Sequence, residues 1–253
     1  MRLIPEADLA PAALRGTLET VSYGRKSVLV YHPAAEPAAV LYLIHGGGDS
    51  PASFLCPPFV NLLDHMTARG EIPPLLVAAP SFYDPEETDK RPAHSGELVR
   101  VFSRELCEQV IPVVEGRPVD RNHRAIGGFS MGGVTTWYAF LQARDLFSRF
   151  LPLSGDCWVC GEKGGGAQPL ETARILAEAA VQPPTDFFIH AVTGSRDIAC
   201  PNLSAQMEAM RGFPGQFRFG ENVRFDVMEG GVHNYDCIFQ YLYNVLPGFF
   251  AQV

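Results

Sequence analysis

Residues 16–23 and 26–32 are two β-rich stretches joined by Gly24-Arg25, a link short enough for a hairpin, so both are expected as antiparallel edge strands. The pattern then changes. Residues 39–44, 74–79, 124–129, 147–153, 186–192 and 223–228 are short, mostly apolar runs, of the kind that forms strands covered on both faces. Helical patterns separate them. Residues 53–69 carry Leu62, Leu63 and Met66 after an irregular Cys56-Pro57-Pro58 entry, and from Ser95 the positions Leu98, Val99, Phe102, Leu106, Val110 and Ile111 recur at i, i+3, i+4 spacing. Further helices are expected over 131–144, 170–180 and 203–212 and from Tyr235 onward. Strands alternating with helices predict an α/β fold, with a mostly parallel central sheet of about eight strands and helices on both faces. The polar, Pro-rich stretch 80–91 is long enough to overhang a site, and the glycine-rich stretch 161–166 reads as a flexible insertion.

Composition narrows the partners. With 253 residues, 47% of them hydrophobic, and no compositional break, the chain is read as one domain over residues 1–253, with residues 1–15 as an N-terminal extension. A net charge of −8 without any Lys/Arg run argues against nucleic acid or an anionic membrane surface as partner and favours a neutral or small-molecule ligand. Oligomeric state stays open. Glu6 and Asp8 stand where a secretion signal would be basic and then apolar, so a cytoplasmic protein is expected, or a secreted one if this stretch is trimmed from a longer chain. Six cysteines are too few for a disulfide scaffold at this length. Cys157 and Cys160 have C-x-x-C spacing but no second pair or nearby His to complete a zinc site; they are read as incidental, and no metal is expected.

In such sheets ligands bind beyond the carboxyl ends of the strands, so the residues directly after each apolar run carry the information. These are His45-Gly46-Gly47-Gly48, Ser81, Ser130, Asp156, Asp197 and His233. Gly128-Phe129-Ser130-Met131-Gly132 matches G-x-S-x-G, whose small flanking residues permit a sharp strand-to-helix turn that lifts the serine hydroxyl out of the sheet. A glycine-rich turn that merely starts a helix would look the same in isolation. The order Ser130, Asp197, His233 supplies a nucleophile, an orienting acid and a general base in the sequence α/β-hydrolases use. Asp156 also follows a strand and competes for the role of acid; otherwise it lines the substrate pocket or holds a loop. His190 lies inside a strand and reads as a core residue, and His45 as a structural one. Glycines at 46 and 47 let backbone N–H groups approach a developing oxyanion, so the amides of Gly47 and Met131 are expected to form the oxyanion hole.

These pieces resemble the esterase D-like group of α/β-hydrolases, and within it the feruloyl and acetylxylan esterases of carbohydrate esterase family 1. The resemblance is carried by the stretches 43–50, 124–133, 150–158, 193–197 and 230–233 and covers the chain from about Gly16 onward. It implies a triad of Ser130, Asp197 and His233, no cofactor, and an acyl-enzyme on Ser130 formed from feruloyl esters of plant polysaccharides such as arabinoxylan oligosaccharides. Gly46, Asp156, Trp158 and Tyr235 are expected to bind substrate, with Phe82 and Tyr83 also lining the groove. Acetylxylan esterase, S-formylglutathione hydrolase and acyl transfer to a sugar use the same site. An inactive, hydrolase-like binding module would need a lost triad member, and all three are present.

Overall fold

The structure is a computed structural model that describes residues 2–86 and 95–250. Eight strands, β1 (Thr17–Tyr23), β2 (Lys26–His32), β3 (Ala39–Ile44), β4 (Leu75–Ala79), β5 (Arg124–Phe129), β6 (Arg149–Leu153), β7 (Phe188–Gly194) and β8 (Val223–Met228), form one sheet in the order β1-β2-β4-β3-β5-β6-β7-β8. The β1–β2 and β2–β4 pairings are antiparallel and the other pairings are parallel. Of the two opening strands only β1 lies at an edge, and β8 forms the opposite edge. The side chains of β1 are mostly exposed, whereas β2, expected at the edge as well, pairs Leu29–Tyr31 with Val77–Ala79 and so lies inside the sheet. A hairpin link fixes the neighbour on one side of a strand and says nothing of the other side.

The helices are α1 (Pro57–Ala68), α2 (Ser95–Glu105), α3 (Ile111–Glu115), α4 (Met131–Gln142), α5 (Gly164–Ala167), α6 (Pro169–Ala180), α7 (Cys200–Met210) and α8 (Tyr235–Phe249). A wider turn, Leu106–Val110, joins α2 to α3, so the amphipathic run seen from Ser95 continues through it. Alternate residues of β3 feed two cores. Val40, Tyr42 and Ile44 pack with Phe102, Trp137, Leu176 and Met207 from α2, α4, α6 and α7, while Leu41 and Leu43 pack with Phe59, Leu62, Ile238 and Leu242 from α1 and α8. Burial of β3, β4 and β5 along their whole length follows from this double cover.

One ion pair is enclosed in the first core. Arg124 reaches Glu115 through two hydrogen bonds of 2.7 Å, and the Tyr42 hydroxyl donates to the same carboxylate at 2.9 Å. Burial beside this carboxylate pushes the Tyr42 hydroxyl pKa well above its usual value. Residues 2–16 are tied down across the second core: the Arg2 amide donates to Asn244, Arg69 forks onto Asp8, and the Gly16 amide donates to Asp64.

The glycine-rich stretch is not a loose insertion. Gly164 and Gly165 are buried in α5, because a Cβ on Gly165 would fall 2.4 Å from Gln206 Oε1 and one on Gly166 would fall 2.1 Å from Asn202 Oδ1. Glycine here allows close packing of α5 on α7. The predicted overhanging loop 80–91 falls partly outside the described residues.

Among the described glycines the closest backbone approach lies at the start of α4. A Cβ on Gly132 would fall 1.9 Å from the Ile44 carbonyl oxygen, and one on Gly128 would fall 2.6 Å from the same atom. Gly132→Ala is therefore expected to cost at or above the top of the about 1–3 kcal/mol range for overpacking. Urea denaturation of the two proteins measures it; equal midpoints would refute the contact.

Candidate active site

The end of β5 delivers Ser130. The residue takes φ 55° and ψ −114°, a left-handed turn that a side chain rarely adopts, and its amide donates to the Leu153 carbonyl of β6 at 2.9 Å. The first helical hydrogen bond of α4 runs from Val134 N to Ser130 O at 3.0 Å. The N–H groups of Met131, Gly132 and Gly133 thus lack an acceptor within the helix and, with the positive end of its dipole, face the reacting centre.

The base and the acid come from the loops after β8 and β7, which are stitched together. Arg196 N donates to Gly231 O, Ser195 N to Met228 O, and Gly230 N to Ser195 Oγ, at 2.8–2.9 Å. Asn234 caps α8 by accepting from Cys237 N, which fixes the helix start directly after His233. Across this frame His233 Nδ1 is 2.7 Å from Asp197 Oδ1, and Nε2 is 3.0 Å from Ser130 Oγ. An ionised carboxylate only accepts, so Asp197 holds the proton on Nδ1 and leaves Nε2 to accept from the serine hydroxyl. Asp197 is buried and takes a second hydrogen bond from the Ala199 amide at 2.8 Å. The imidazole rests on the Phe129 ring, centroids 4.5 Å apart.

Of the two acids the sequence offers, Asp197 contacts the histidine. Asp156 is buried in a different direction, accepting from Gly165 N at 2.9 Å and from Trp158 Nε1 at 3.4 Å. Burial raises its pKa above the usual carboxylate value. It therefore holds α5 and Trp158, while its edge still borders the site.

The loop after β3 closes over the serine. A Cβ on Gly46 would lie 3.5 Å from Ser130 Cβ, and one on Gly47 would lie 2.6 Å from Met131 Sδ, so the loop packs against Ser130 and the Met131 side chain. Tyr235 pins this loop: its hydroxyl accepts from Gly46 N at 3.1 Å and donates to Asp49 at 3.4 Å. His45 is fully buried, with Nδ1 2.8 Å from Gly46 O and Nε2 2.9 Å from Ser81 Oγ, as suits a structural residue. Phe82 and Tyr83 do not line the groove. Both are buried against the His45 ring, and the Tyr83 hydroxyl accepts from Gly48 N, so they support the loop from behind.

Two cavities meet at Ser130. A cleft of about 650 Å³ is lined by Gly47, Asp49, Ser95, Met131, Glu162, Asn234 and Tyr235, among others. A slot of about 130 Å³ is lined by Val134, Ser154, Gly155, Asp156, Lys163 and Asn202, among others. Four residues border both: Ser130, His233, Trp158 and Ile198. Ile198, Lys163 and Asn202 carried no sequence signal beyond their nearness to Asp197 or to the glycine-rich stretch. Cys157 and Cys160 are free thiols, and burial pushes Cys157 up to about 12. Among the described residues no three His, Cys, Asp or Glu side chains converge as a metal set, and no helix is long and apolar enough to cross a membrane.

The chain is 33% identical over 282 residues to endo-1,4-beta-xylanase Y of Acetivibrio thermocellus, an alignment that covers 99% of this chain and 25% of that protein. A shorter match, 28% identical over 124 residues, covers 47% of this chain and 17% of an endo-1,4-beta-xylanase/feruloyl esterase of Xylanibacter ruminicola. The chain therefore spans a quarter or less of the length of these relatives. Among solved structures, a mutant of the feruloyl esterase module from Clostridium thermocellum, complexed with sinapinate, superposes with a TM-score of 0.84 at 32% identity, covering 100% of this chain and 94% of that one. The Esterase family model matches residues 25–244, and this chain belongs to that family, with the α/β-hydrolase fold.

Proposed function

We propose that the chain is a serine carboxylesterase that hydrolyses hydroxycinnamoyl, chiefly feruloyl, esters carried by plant polysaccharides such as arabinoxylan oligosaccharides. The observation that carries this reading is the unbroken Ser130–His233–Asp197 relay, placed where a narrow slot and a wider cleft meet. The slot suits a flat acyl group with Trp158 on its border, and an acetyl group would leave most of it empty. The wider cleft, with Asp49, Ser95, Glu162 and Asn234 on its walls, suits a neutral, hydroxyl-rich alcohol. Sinapinate bound to the module from Clostridium thermocellum supports the same acyl class.

In the first half-reaction Ser130 Oγ attacks the ester carbonyl carbon while His233 Nε2 takes its proton. The negative oxygen of the tetrahedral intermediate is stabilised by the amides of Gly47 and Met131, aided by the helix dipole of α4. As the C–O bond breaks, His233 returns the proton to the departing sugar oxygen and leaves the acyl group on Ser130. Water, deprotonated by His233, then attacks the acyl-enzyme and releases the carboxylic acid. Asp197 stays ionised and stabilises the imidazolium in both steps.

Ser130→Ala is expected to lower kcat on methyl ferulate by about a millionfold with an unchanged circular dichroism spectrum. Turnover at the parent rate would sink the mechanism. Asp197→Asn should lower kcat by about 10⁴-fold through loss of the correct tautomer, whereas Asp156→Asn should leave the relay in place. A collapse confined to the Asp156 variant would reassign the acid. Substrate class is decided by kcat/KM across methyl ferulate, acetylated xylan oligomers and S-formylglutathione, with the aromatic ester expected to lead; a lead for the thioester would overturn the carbohydrate-ester reading.

A further inference from the structure

Buried tyrosines elsewhere in the protein place their hydroxyl protons on a definite acceptor: Tyr23 donates to Glu105, Tyr31 to Asp64, Tyr42 to Glu115 and Tyr138 to the Trp158 carbonyl. Tyr241 does not. The residue is 1% exposed, yet among the described residues its hydroxyl has no hydrogen-bond partner. A buried polar group without a partner costs stability that a phenylalanine at the same place would not, so this hydroxyl calls for an explanation.

The hydroxyl lies at the crossing of the two loops that carry the acid and the base. A Cβ on Gly194 would fall 2.5 Å from it, and one on Gly231 would fall 2.1 Å from it. Gly194 ends β7 just ahead of Asp197, and Gly231 stands just ahead of His233. Neither glycine has a positive φ, so the missing side chain serves close packing rather than a turn. The two also pack on each other, since a Cβ on Gly194 would fall 2.2 Å from the Gly231 carbonyl oxygen. One turn earlier on α8, Cys237 Sγ accepts from the Val232 amide at 3.3 Å. One face of α8 thus supports both loops from beneath.

A second unpartnered atom at this crossing belongs to Asp197. Its Oδ1 takes both the His233 imidazole and the Ala199 amide, while Oδ2 is buried without a partner. The titratable groups around the Tyr241 hydroxyl are Cys237 of α8, Asp197 with its partner His233, and Cys200 of α7. Burial first, and then Cys237 and Asp197, raise the Tyr241 pKa above its usual value, so the hydroxyl keeps its proton. Thiols are weak acceptors, which leaves the Asp197 carboxylate as the strongest field that this rotatable O–H can follow. Building on the acyl-enzyme mechanism above, we propose that Tyr241 is a positioning residue for the catalytic acid: its O–H dipole turns toward Asp197, stabilises the carboxylate charge, and so sets the basicity of His233. Without that dipole Asp197 holds the imidazolium proton more firmly, and His233 becomes able to accept from Ser130 only at higher pH.

The test compares the parent enzyme with Tyr241→Phe, Asp197→Asn and the double variant, on methyl ferulate. Tyr241→Phe keeps the ring and removes one oxygen that has no hydrogen bond, so its Tm should equal or exceed the parent's. Its kcat should nonetheless fall about fivefold, and the acid limb of its kcat/KM profile should move up by about half a pH unit. In the Asp197→Asn background the carboxylate charge is gone, and adding Tyr241→Phe should then change kcat by less than about twofold. A lowered Tm with an unmoved acid limb would overturn the proposal and make the hydroxyl a packing element. So would parent-like kinetics in Tyr241→Phe, or the same fivefold loss repeated in the Asp197→Asn background. Failure of the mechanism beneath is separately visible: an Asp197→Asn enzyme working at the parent rate refutes the acid, and the role of Tyr241 with it, before any Tyr241 variant is compared.

Discussion

The packing of Gly132 against the carbonyl of Ile44 is the constraint on which the site depends. It brings the first turn of α4 down onto the end of β3, which forces the chain at Ser130 into a left-handed turn and points the hydroxyl away from the sheet. The same approach sets the β3 loop against Ser130 and Met131 at the start of α4. Backbone strain of this kind survives only where the surroundings over-determine it. Here the Leu153 carbonyl holds the Ser130 amide, and Gly155 allows the Ser130 carbonyl to come close, since a Cβ there would fall 2.4 Å from that oxygen.

Around this rigid centre the remaining groups are arranged by layers of support. Tyr235 and Tyr83 hold the Gly46–Gly48 backbone from two sides, His45 buttresses it from below, and Asp156 secures both α5 and Trp158. Tyr83 and His45 shape the site only through other residues, while Tyr235 and Asp156 also border its cavities. A catalytic constellation needs such a second layer, because displacement of a reacting group by a fraction of an ångström already costs rate.

The parts of the site written in local sequence were readable in advance. Gly128 and Gly132 flank Ser130 at the spacing the elbow requires, and the order of Asp197 and His233 follows from the succession of strands. Other features depend on approaches between distant segments. The glycines at 164–166 read as a flexible patch because composition does not reveal that α7 lies against them. Phe82 and Tyr83 look like groove residues beside a strand end, yet their rings turn inward onto His45. Ile198 carries no motif at all; its meaning comes from two cavities that exist only once β6 and β7 are neighbours. The interior position of β2 was hidden for a related reason, since its hairpin to β1 fixes one neighbour and leaves β4 on the other side unannounced.

The hydrogen bonds of Arg2 to Asn244 and of Ile4 to Gln240 join segments separated by 242 and 236 positions. Contacts so distant along the chain form late, because a large loop must close before any of them is rewarded. The helix they engage is α8, and the loop entering it carries His233. In a chain emerging from its N-terminus, the strained turn at Ser130 can therefore form while the imidazole, and the Tyr235 that pins the Gly46 loop, are still to come. The half-built protein carries a serine without its histidine partner, and the contact between them arrives with α8.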